Sequence, residues 1–70
     1  MTESSLQKHS ITLWGHKTSI SLETPFWQEL KKIAATKGVP LNKLIENIDE
    51  ARSANLSSTI RVYILECLRK

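Results

Sequence analysis

Seventy residues with ten Lys and Arg against seven Asp and Glu give one small domain with a net charge of +3 and a pI near 9.3. The single cysteine, Cys67, excludes an internal disulfide, and the two histidines, His9 and His16, lack the paired spacing of a zinc site. No apolar run nears the roughly 18 residues of a membrane span, and the polar start MTESSLQKHS is not a secretory signal. A cytoplasmic chain without cofactor or membrane partner is therefore expected, and its small core makes oligomerisation the natural source of further stability.

Residues 1–8 read as a flexible tail, and residues 9–70 as one domain. The strand region is 9–23, where Ile11, Leu13, Ile20 and Leu22 are spaced for one face and Thr, Ser and Trp lie between them. Gly15-His16 suits a two-residue turn with glycine first. That turn pairs Leu13 with Thr18, Ile11 with Ile20 and His9 with Leu22, and places every apolar residue on one side. A lone strand and an N-terminal hairpin both fit the pattern.

A helix over 25–37 follows. Thr24 is its expected cap, Pro25 suits the first turn, and Gly38 supplies a left-handed stop. Phe26, Trp27, Leu30, Ile33 and Ala34 form its apolar stripe. A second helix over 40–51 carries Leu41, Leu44, Ile45 and Ile48. Asp49 and Glu50 oppose its dipole, so fraying after Ile48 is expected. The last segment, 56–69, places Leu56, Ile60, Ile64, Cys67 and Leu68 on a helical face, with Asn55 or Ser57 as its cap. Its STIRVYIL stretch also alternates like a strand, and length favours the helix.

No residue set supplies a base-activated nucleophile, a metal site or a glycine-rich phosphate loop, so an enzyme is not expected. His9 and His16 read as surface residues beside a turn, and Cys67 as a buried structural thiol. Trp27 reads as core. Trp14 fits a core edge and an exposed surface equally well.

The stretch KTSISLETPFWQELKKIAATKGVPLNKLI, extended to about Ile48, resembles the ribbon-helix-helix DNA-binding repressors, in particular a small bacterial type with an extra C-terminal helix. The resemblance lies in order and spacing: an alternating strand, proline at the helix start, one apolar helix, a glycine and then VPLNKLI. It implies a mainly α fold with a short N-terminal β element, three helices and an intertwined homodimer. Ile20, Leu22, Leu30, Ile33, Leu44, Ile45 and Ile48 would form the dimer core. It also implies a two-stranded antiparallel ribbon in the DNA major groove. Lys17, Ser19 and Ser21, the outward residues of the strand, would be the base readers. Leu41, Asn42 and Lys43 would contact phosphate, with one donor fewer than usual because Pro40 has no N–H.

The function expected on this basis is a homodimeric, sequence-specific transcriptional regulator. The alternative is a small dimeric protein-interaction module that does not bind DNA directly. A hairpin in each chain would make the dimer's sheet four strands wide. At about 4.8 Å per strand, that exceeds a groove about 12 Å across.

Overall fold

The computed structural model describes residues 6–51 and 54–69. Strands β1 (Leu6–Leu13) and β2 (His16–Glu23) form an antiparallel hairpin, followed by helices α1 (Thr24–Lys37), α2 (Leu41–Ala51) and α3 (Leu56–Leu68). One face of the hairpin lies on the helices, with β1 against α2 and β2 against α1 and α3.

The hairpin extends further than expected. Leu6, Gln7 and Lys8 pair with Glu23, Leu22 and Ser21, so residues 6–8 of the expected tail belong to the ladder. The turn also differs from the expected one. It is Trp14-Gly15, not Gly15-His16, and Leu13 stands opposite His16. Both turn residues have positive φ, 56° and 79°, as a type I′ turn requires. Glycine takes this conformation freely, whereas tryptophan rarely does. The register is therefore slipped by two residues: Ile11 faces Thr18 and His9 faces Ile20. A slip of two keeps every side chain on its expected face.

A long-range contact secures the unusual turn. The Trp14 N–H donates to Glu46 Oε2 at 2.9 Å, and its indole N–H to Asp49 Oδ2 at 3.1 Å. Glu46 is buried, with Lys43 Nζ 3.6 Å from its other oxygen. The helix does not end at Ile48, where fraying is expected to begin. The helix runs to Ala51, and Asp49 is held by Trp14. Glu46→Ala would leave the part-buried Trp14 N–H without its acceptor and is expected to cost about 1–3 kcal/mol. Glu46→Gln keeps an acceptor and should retain most of the stability. Urea midpoints, with Trp14 fluorescence reporting on the turn, check both.

α1 begins at Thr24 itself. Glu23 is the capping position and makes no side-chain cap bond, so Thr24 does not act as the expected cap. Gly38 ends the helix at φ 72°, its N–H reaching the Ala34 and Ala35 carbonyls, and the Val39 N–H also bonds Ala34. α3 is a helix despite its β-branched run. The Asn55 side chain caps it by accepting the Ser58 N–H at 2.9 Å.

The core is assembled from all five elements. Leu13, Ile20, Leu22, Leu30, Ala34, Leu44, Ile45, Ile48, Ile60 and Ile64 are buried, with Phe26, Trp27 and Ile33 packed half-buried against them. Of the residues assigned by resemblance to a dimer core, all but Ile33 are thus already withdrawn from water within one chain. His9 is not a simple surface residue, because its ring stacks on Trp27 with centroids 3.9 Å apart. Cys67 is half-buried and Leu68 exposed, so the α3 stripe leaves the core after Ile64.

Candidate nucleic-acid interface

The outer face of the hairpin is polar because the ladder alternates. β2 contributes Lys17, Ser19 and Ser21, which point away from Ile20 and Leu22. Lys17 and Ser19 are exposed and Ser21 half-buried. The register sets Thr12 opposite Lys17, Ser10 opposite Ser19 and Lys8 opposite Ser21. Lys8, Ser10 and Thr12 are not among the sequence-derived candidates, yet they share this exposed face. Their signal lies in the alternation of LQKHSITL, which needs the correct strand start to be legible.

The face therefore carries two lysines and four hydroxyls. Its acidic end is neutralised. Arg61 Nε and Nη2 donate to Glu23 Oε1 and Oε2 at 2.8 and 3.2 Å, a fork on a carboxylate. The Arg61 hydrogen bond, helped by the backbone and the guanidinium charge, lowers the Glu23 carboxyl below its ordinary value. A lowered folded value means that the pair stabilises fully above the unfolded carboxyl range, about 4.3. That contribution is lost as the pH falls through the folded value. The melting-temperature difference between the native chain and Arg61→Gln should thus be steady near neutrality and shrink below about pH 4. Thermal melts from pH 7 to pH 3 measure it, and a constant difference would contradict the assignment.

Lys17 also lines a groove of about 650 Å³, with Ser10, Thr12, Trp27, Leu41 and Asn42 among its other walls. The groove brings together one expected base reader and two expected phosphate contacts. Leu44 donates to the Pro40 carbonyl at 3.0 Å, and the geometry of a first helical turn leaves the N–H groups before it without helical partners. Lys43 stands in that turn, outside the groove, and is largely exposed. Ser19 and Ser21 line a different cleft, along the outer edge of β2.

Among the described residues, no group of three or more His, Cys, Asp or Glu could hold a metal ion, and no helix is long and apolar enough to cross a membrane.

A hairpin, three helices and a polar outer sheet face define a ribbon-helix-helix type of chain. The sequence matches the ribbon-helix-helix domain over residues 6–68, and the protein belongs to that family. Its members are generally DNA-binding, non-enzymatic transcriptional regulators. A solved structure of an uncharacterized protein from Bordetella pertussis Tohama I is similar, with a TM-score of 0.72 and 37% identity over 89% of this chain. The match covers 54% of that chain, so this protein spans about half its length. None of the curated proteins matches the sequence.

Proposed function

We propose that the protein is a homodimeric, sequence-specific DNA-binding regulator of transcription, acting in the bacterial cytoplasm as a repressor. The observation that carries this reading is the shared groove. Lys17 on the polar sheet face opens onto the same space as Leu41 and Asn42 at the start of α2. A strand laid in the major groove would place Lys17, Ser19 and Ser21 against base edges. Lysine can donate to guanine, and serine can serve several bases. The first-turn N–H groups of α2, with Lys43 beside them, would take a backbone phosphate.

Two hairpins side by side give a sheet of four strands, about 14 Å across at about 4.8 Å spacing. Only the two inner strands then reach deep into a groove about 12 Å wide. The outer strands lie along the phosphate walls, where Lys8, Ser10 and Thr12 serve as backbone contacts. A fluorescence titration against selected genomic fragments, repeated across salt concentrations, tests the reading. Specific, salt-sensitive binding is required.

A second reading, a protein-interaction module without direct DNA binding, draws on a different observation. Trp14 is 49% exposed, and α3 presents Val62, Leu65 and Leu68 to solvent. Exposed aromatic and aliphatic side chains of this kind are frequent at protein interfaces. That reading requires a protein partner and no salt-dependent DNA affinity.

A further inference from the structure

Two contacts on one flank fix how α3 is turned about its axis. The Ser57 hydroxyl donates to the Ser21 carbonyl at 2.8 Å, and one turn later Arg61 grips Glu23. The other flank of α3 stands along α2. The two helices are consecutive in the chain and pack together, so they run antiparallel. Between them lies a cleft of about 350 Å³, within the size range of small-molecule sites.

α2 lines this cleft with Leu44, Ile48 and Ala51, and α3 lines it with Thr59, Val62 and Glu66. Helical rise makes the stripe from Leu44 to Ala51 about 10 Å long. Leu44 and Ile48 are buried and Val62 is 54% exposed, so the floor is apolar and one apolar wall stands open. The lining comes from the helices alone, apart from the polar sheet face.

The charges gather at one end. Antiparallel packing puts Leu44 and Glu66 at one end and Ala51 and Thr59 at the other. Lys37, in the last turn of α1, also lines the cleft. It borders a second hollow with Cys67 and Leu68, the residues that follow Glu66, and so stands at the Glu66 end. Lys37 and Glu66 are both exposed, and neither forms a salt bridge among the described residues. The cleft thus offers one cation and one anion at its head and an apolar bed behind them.

We infer that this cleft binds a free α-amino acid with a leucine-sized aliphatic side chain. Lys37 takes its carboxylate, Glu66 takes its ammonium, and the side chain lies over Ile48 and Val62. A simple anion or cation would satisfy only one of the two charges. A peptide carries its terminal charges at opposite ends, and beyond about three extended residues it would overrun the cleft. Both charges at one end call for an ammonium and a carboxylate on the same carbon. Exposed charges hold a ligand weakly, so affinity in the millimolar range is expected.

The test uses the native chain without DNA, so its failure would leave the DNA reading standing. L-leucine is titrated to millimolar concentration and amide NMR shifts are followed. The amides of Asn47, Val62 and Tyr63, which line the cleft, should move and saturate, while those of the hairpin stay in place. Isocaproate and isoamylamine keep the aliphatic chain but each lacks one charge. Each should bind about fivefold more weakly than leucine, the upper end for an exposed charge pair. Lys37→Gln and Glu66→Gln should each weaken leucine binding by about the same factor, with unchanged melting temperatures showing that the fold is intact. Lys31 is an exposed lysine of α1 outside the cleft, and Lys31→Gln should bind leucine as the native chain does. No saturable shift, equal affinity for the three probes, or indifference to both cleft substitutions would overturn the inference. Shifts at the same amides on concentrating the chain alone would assign the cleft to a second copy and overturn it equally.

Discussion

Replacing Ile64 with alanine is expected to lower the unfolding free energy by about 3 kcal/mol, within the range for a fully buried isoleucine cut to alanine. A domain of this length holds only about 4–10 kcal/mol in total, so the melting temperature should fall by about 12–24 °C. Ile64 and Ile60 are fully buried and join α3 to Leu22, Leu30 and Ile45, which are equally withdrawn from water. The loss combines the transfer of three carbons with a cavity that neighbours on several elements cannot easily close. Leu65 is the internal control. It is the next residue on the same helix but is 53% exposed, and Leu65→Ala should change stability by less than about 0.5 kcal/mol. Urea and thermal unfolding of both variants compare them directly. Equal, small effects would mean that α3 is an appended helix rather than part of the core.

Lys17→Ala should weaken specific DNA binding by at least about fivefold, which is about 1 kcal/mol, the lower end of what one good base contact contributes. A dimer loses two cations. At about 0.9 per phosphate charge neutralised, the slope of log affinity against log salt should fall by up to about 1.8. Ser19→Ala should act differently, narrowing the gap between specific and non-specific fragments while leaving the salt slope unchanged, because no charge is removed. Lys32 on α1 serves as a control. It is exposed, pairs with Glu29 at 3.3 Å and lies off the sheet face, so Lys32→Ala should bind almost as the native chain does. Filter binding or fluorescence anisotropy at several salt concentrations gives both affinity and slope. Equal losses from Lys17→Ala and Lys32→Ala would point to diffuse charge attraction instead of a reading face.

Much of this fold is legible in local sequence, for identifiable reasons. Pro25 and Gly38 bracket α1 because one fits a first helical turn and the other takes φ 72° without strain. The spacing of Leu44, Ile45 and Ile48 places α2's buried face directly. Alternation alone puts Lys17, Ser19 and Ser21 on the outside of β2, whichever turn closes the hairpin.

The features that depart from the local pattern depend on contacts distant in sequence. Gly15 fits the first position of one turn type and the second of another. The choice is settled by Glu46 and Asp49, which take the two N–H groups of Trp14 from 32 and 35 residues away. The strand start at Leu6 follows from that register and cannot precede it. The role of Ser57 at the Ser21 carbonyl spans 36 residues and leaves no local pattern. α3 is ambiguous in sequence for a related reason. Its β-branched residues suit a strand locally, length and the Asn55 cap favour a helix, and the deep burial of Ile60 and Ile64 settles it. The candidate site divides along the same line. The outward residues of β2 follow from period two, whereas the groove that joins Lys17 to the start of α2 is purely tertiary.

The most direct test of the proposed function is the salt-dependent binding of the native chain to DNA. Labelled fragments selected from a genomic pool are titrated alongside a scrambled control, over about 50–200 mM salt. The account predicts dimer binding to the selected fragment well above the control, with affinity falling linearly on a log–log salt plot. Equal, weak affinity for both fragments, or none across the whole range, would contradict it and leave the polar sheet face without a nucleic-acid role.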